Sequence, residues 1–135
     1  MTSALDTSVL VDVLWGDPHF EAASRRAIKE AAEAGALITS PVVVAELRPG
    51  YPDNETVVRV LSDLGVHVVP LELEHGLYAG AIHSRYLEAG GARSRVVADF
   101  LIASHAHHLA DRLIARDRGF FRRYFRDLEV LDPAG

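Results

Sequence analysis

The chain has 135 residues, 49% of them hydrophobic, with 14 Lys and Arg against 19 Asp and Glu and no cysteine. That length suits one domain spanning 1–135, able to bury roughly two thirds of its unfolded surface. No apolar run approaches the ~18 residues of a membrane span. Disulfides, thiolate metal ligands and cysteine nucleophiles are excluded, so any metal must bind through oxygen or histidine.

Taken in order, short apolar strands alternate with helices. Residues 3–6 read as a strand, and Thr7 or Ser8 as the cap of a helix running to Trp15, where Gly16-Asp17-Pro18 breaks it. A helix over 20–34 ends at Gly35, and a strand over 37–39 leads through Ser40-Pro41 into a helix over 41–48. Asp53 opens a helix to Leu64, VHVV forms a strand at 66–69, and 72–89 reads as helical up to Gly90-Gly91. A helix over 95–110, a strand over 112–116, a short helix over 119–125 and a strand over 128–131 complete the chain. Strands separated by helices cannot pair as hairpins, so the expectation is an α/β fold with right-handed crossovers to a parallel sheet covered on both faces. The first strand begins almost at Met1, leaving no room for a leader, and the expected location is cytoplasmic.

Four acids stand where the local pattern calls for apolar side chains or element ends: Asp6, Glu46, Asp99 and Asp117. Asp99 shares a helical face with Val96, Ile102, Ala103 and Ala106, and Glu46 with Val42 and Val43. Carboxylates on an apolar stripe are costly unless neutralised. Convergence of the four would raise their pKa values or recruit a hard divalent cation, and the second is expected. Taken singly, each has a blander account. Asp6 can be a helix N-cap, Asp117 a strand-end turn, and Glu46 or Asp99 a member of an ion pair with Arg48, Arg93 or Arg95.

The net charge of −5 conceals an asymmetry. Residues 85–126 hold nine arginines against four acids, a balance of +5, so the remainder carries −10. Arg93, Arg95, Arg116 and Arg118 are the candidates for contact with substrate phosphates, with surface solvation the other reading. His105 and His108, one turn apart, suggest zinc, but spacing places no further ligand and a solvated helix face is expected.

With these motifs set out, the chain resembles the PIN-domain ribonucleases, specifically the toxins of VapBC-type toxin–antitoxin pairs. The resemblance spans the full length. It rests on the ordered set of L-D-T-S at Leu5–Ser8, an acid in the V-V-A-E-L helix, D-F-L-I-A-S-H-A opening a late helix, and I-A-R-D-R-G-F-F after the penultimate strand. It implies a three-layer α/β/α architecture around a short parallel sheet of four to five strands. It further implies an endoribonuclease dependent on Mg²⁺ or Mn²⁺ with Asp6, Glu46, Asp99 and Asp117 as its acidic cluster, homodimers, and a cognate antitoxin whose C-terminal segment lies over the site. Thr7 and Ser8 are accessory candidates for orienting a metal-bound water, and helix capping is their other role. Ala115 and Gly119 depart from the Thr or Ser and the polar residue common in the family. The rival readings are an inactive PIN-like module that binds RNA or protein, and an aspartate-nucleophile phosphotransferase. The latter usually wants a second aspartate where Ser8 stands.

Overall fold

Each strand is a run of three or fewer residues, so the strands are short, and the inner ones are buried along their length rather than alternating, while the two edge strands are partly exposed. The computed structural model describes residues 1–93 and 95–135. In chain order its elements are β1 (Ser3–Leu5), α1 (Thr7–Leu14), α2 (Glu21–Ala34), β2 (Leu37–Thr39), α3 (Pro41–Leu47), a 3₁₀ turn (Arg48–Gly50) and α4 (Asn54–Asp63). There follow β3 (Val66–Val68), α5 (Leu73–Glu88), α6 (Val97–Leu109), β4 (Arg112–Ile114), α7 (Phe120–Tyr124) and β5 (Val130–Leu131).

The five strands are all parallel in the order β3-β2-β1-β4-β5. The chain winds from β1 outward to β3, then crosses back to β4 and on to β5. Right-handed crossovers therefore put the helices between β1 and β3 on one face and those between β3 and β5 on the other, the expected three layers. Within the layers, α1 packs on α2 and α5 on α6. The direction of winding reverses between β1 and β4, which opens a crevice at the carboxyl ends of those two strands. Ser3, Ala4 and Leu5 stand in register with Arg112, Leu113 and Ile114, and the Asp6 N–H donates to the Ile114 carbonyl at 3.0 Å. The residues that follow each strand are thus brought side by side.

The core lies on both sides of β1 and β4: Val9, Leu10, Val43, Leu47, Phe100, Ala103, Leu113 and Ile114 are fully buried. No helix among the described residues is long and apolar enough to cross a membrane. Element bounds differ from the sequence expectations by no more than two residues. One such shift is in α6, which starts at Val97 rather than residue 95 and so carries Asp99 in its first turn.

Candidate active site

Asp6 follows β1 directly and is the N-cap of α1, accepting from the Ser8 N–H at 3.2 Å. Thr7 and Ser8, expected as caps, have other partners. The Ser8 hydroxyl donates to Asp6 Oδ2 at 2.6 Å and accepts from the Arg116 N–H at 3.1 Å, bridging the ends of β1 and β4 across the crevice. The Thr7 hydroxyl donates to Glu46 Oε1 at 2.6 Å, tying α1 to α3. These two side chains orient carboxylates.

Asp6 is 7% exposed. Burial pushes its carboxyl above the ordinary 3.8; the Ser8 hydrogen bonds oppose the shift, and the nearby charge of Asp99 adds to it. Asp6 and Asp99 are therefore near enough for their charges to repel, one following β1 and one at the start of α6.

Neither Asp99 nor Glu46 is the buried mid-helix carboxylate that the apolar periodicity suggested. Glu46 is exposed, because α3 buries only Val43 and Leu47. The Asp99 side chain is 24% exposed and pairs with Arg95 at 3.0 Å, the ion pair weighed as its structural alternative. The Arg95 guanidinium also lies 3.8 Å above the centre of the Phe120 ring, so it is held on two sides.

Asp117 sits beyond β4, with its carboxylate turned toward α7. Oδ1 accepts from the N–H groups of Gly119 and Phe121 at 3.0 and 3.1 Å, and Oδ2 from Arg122 at 3.2 Å. Gly119, at φ +102°, takes the left-handed conformation that lets the chain fold back over this carboxylate. That requirement accounts for glycine at a place where the family often has a polar residue. Ala115 is fully buried between β4 and the layers around it.

Of the four candidate arginines, Arg93 and Arg118 are exposed, Arg95 holds Asp99, and Arg116 is engaged within the fold. Its guanidinium makes two bonds to Asp12, at 2.8 and 3.0 Å, and lies 4.2 Å over the Phe20 ring. Asp12 is wholly buried and accepts a third bond from the Ser24 hydroxyl at 2.6 Å. The reading of the sequence passed over Asp12, although V-L-V-D-V-L is the strongest instance in the chain of an acid on an apolar stripe. His105 is also corrected. It is buried rather than solvated, and its Nε2 meets the Val69 carbonyl at 2.8 Å.

Among the described residues no group of three or more acidic or histidine side chains stands close enough together to hold a metal ion. The chemistry of Asp6 and Asp99 nevertheless fits a magnesium-like cation, which keeps most of its waters and takes one or two carboxylates. The donors are oxygens, Asp6 is desolvated, and the charge of Asp99 adds to its cost of ionisation.

The PIN domain family profile matches residues 4–126. In structure, the chain is similar to VapBC-1 from nontypeable Haemophilus influenzae, at TM-score 0.75 and 23% identity over 100% of both chains. It is also similar to VapBC2 from Rickettsia felis bound to a DNA fragment from its promoter, at TM-score 0.74 and 20% identity over 98% of both. A third neighbour is FitAcB from Neisseria gonorrhoeae, at TM-score 0.68 and 24% identity over 98% of both. No curated protein matches the sequence.

Proposed function

The chain belongs to the PIN-domain family, and we propose that it is a divalent-metal-dependent endoribonuclease acting as a toxin that a cognate antitoxin neutralises. The observation that carries the reading is the pair of repelling carboxylates, Asp6 and Asp99, at the reversal point of a parallel sheet, where ligands of such sheets bind. The similarity to chains of VapBC and FitAcB assemblies supports the antitoxin, and the homodimer is what the family resemblance leads one to expect.

In this reading Asp6 and Asp99 would hold Mg²⁺ or Mn²⁺, which would supply Lewis-acid activation of the scissile phosphodiester and of the attacking water. Ser8 fixes the Asp6 carboxylate through a 2.6 Å hydrogen bond, so its free oxygen has a defined direction. Thr7 fixes the exposed Glu46 carboxylate of α3 in the same manner. A cation there would share the Asp99 carboxylate with Arg95, which holds it at 3.0 Å. Asp117 keeps α7 in place beside the site, and Arg93 and Arg118 attract the phosphate chain. Water attack without a 2′-hydroxyl leaves 5′-phosphate and 3′-hydroxyl ends.

The test is cleavage of end-labelled single-stranded RNA with Mn²⁺ and with EDTA. Wild type cuts only with the metal, and Asp6→Asn and Asp99→Asn each lose at least about 100-fold in rate, as expected when a metal ligand is removed. Equal cleavage by both variants removes the pair from the chemistry. The Arg95–Asp99 pair favours a second reading, an inactive module that binds RNA without cutting it. RNA binding by wild type with no cleavage in Mn²⁺ would select it.

A further inference from the structure

Beside the acidic crevice, toward α7, lies a cavity of about 340 Å³ walled by Tyr86, Arg95, Arg118, Phe120, Arg123 and Tyr124. It shares Tyr86 and Arg95 with the neighbouring cavity of about 360 Å³ that contains Asp99. Arg95, fixed between Asp99 and the face of Phe120, is the partition between the two.

The lining is unusual for a chain of net charge −5: three guanidinium groups and no carboxylate. Arg95 alone is neutralised within it. The Arg118 and Arg123 side chains make no hydrogen bond or ion pair among the described residues, and Arg123 lies 5.5 Å over the Tyr124 ring. The aromatic walls are held in place from beneath. Tyr86 is buried, donates its hydroxyl to the Ala92 carbonyl at 3.2 Å, and meets Tyr124 edge-on at 5.0 Å, while Phe120 and Tyr124 stand 5.5 Å apart and partly exposed.

Unpaired guanidinium groups seek an anion, and the partly exposed rings beside them offer a flat apolar surface to something equally flat. An acidic peptide would use the charges and leave the rings idle; a nucleotide uses both. We propose that this cavity binds one nucleotide of single-stranded RNA, next to the phosphate presented at Asp6 and Asp99, with Arg118 and Arg123 on its phosphate and Tyr124 against its base. The proposal rests on the ribonuclease reading above and extends it to substrate selection: the α7 cavity determines which nucleotide flanks the cut.

Binding is measured by fluorescence anisotropy with the full chain and a labelled single-stranded RNA oligonucleotide of mixed sequence, in EDTA, over a series of salt concentrations. Arg118→Ala and Arg123→Ala each weaken affinity several-fold and each flatten the slope of log affinity against log salt by roughly 0.7. Tyr124→Ala weakens affinity with its slope unchanged and Tyr124→Phe restores it, a pattern that lost folding would not give; melting curves on all four check the fold directly. Unchanged affinity and slope in both arginine variants overturns the proposal. So does displacement of RNA by poly-glutamate as readily as by unlabelled RNA, which would make the cavity an acidic-peptide site. If wild type cuts RNA with Mn²⁺ while the cavity variants bind normally, the cavity assignment alone fails. If the variants lose binding as stated while wild type cuts nothing, the nuclease reading alone fails.

Discussion

At the scale of single residues, the site is governed by what each carboxylate already touches. Asp6 is desolvated and repelled by Asp99, so its ionised form opposes folding at neutral pH. Replacing it with the isosteric amide keeps the Ser8 contact and removes the repulsion. Asp6→Asn should therefore melt at a higher temperature than wild type in EDTA, and Mn²⁺ should stabilise wild type and leave the variant unmoved. A lower melting temperature for the variant in EDTA would mean that the Ser8 bonds outweigh burial. Asp6 was legible from L-D-T-S because a polar residue directly after a strand either caps or acts, and here it is placed to do both. Glu46 and Asp99 were located correctly on their helices but misjudged for burial. Three- and four-residue offsets reveal a shared face only along a continuous helix, and Asp99 lies within the first turn of α6 while α3 is two turns long.

Between elements, the strongest polar link is one the sequence reading assigned to substrate. Arg116 joins the end of β4 to α1 through Asp12, and Ser24 brings in α2. Removing the guanidinium strands a wholly buried carboxylate with one hydroxyl for company, so Arg116→Ala should cost about 3–5 kcal/mol and appear as a large drop in melting temperature. The salt dependence of RNA binding should not change. Arg116→Lys should recover part of the loss, since it restores charge without the two-pronged geometry. Asp117 likewise organises an element, and here charge and shape separate cleanly. Asp117→Ala should lose about 1 kcal/mol by uncapping α7. Asp117→Asn retains an oxygen for Gly119 and Phe121, so the difference in Mn²⁺ affinity between that variant and wild type reads any role in metal binding apart from the cap. Element order, type and the all-parallel sheet followed from alternating apolar runs and their Gly and Pro breaks. Strand order did not, because nothing local in β1 or β4 encodes that they are neighbours; their pairing is a long-range contact between residues more than a hundred apart, Ser3 with Arg112 and Leu5 with Ile114.

Over the whole molecule, stability and pH are coupled through a group distant from the site. His105 is buried on α6, its Nε2 bonded to the Val69 carbonyl after β3, and burial holds its pKa below the ordinary 6.5. The unfolded chain takes up a proton as pH falls through 6.5, while the folded chain resists until its lower pKa is reached. The stability that neutral His105 contributes is thus fully present above 6.5 and lost progressively on acidification below it. Asp6 acts with the opposite sign in a lower window. Its destabilising charge is fully present above its raised pKa and disappears as pH falls below 3.8, where folded and unfolded forms are both protonated. Melting temperature in EDTA should therefore fall from pH 7 toward pH 6 and below, and the decline should be partly offset at the acid end as Asp6 takes up its proton. His105→Gln can still donate to Val69 and carries no titrating group, so it should flatten the upper part of that profile while leaving the acid end as in wild type. Asp6→Asn should do the reverse. If His105→Gln keeps the wild-type decline between pH 7 and 6, another group drives it.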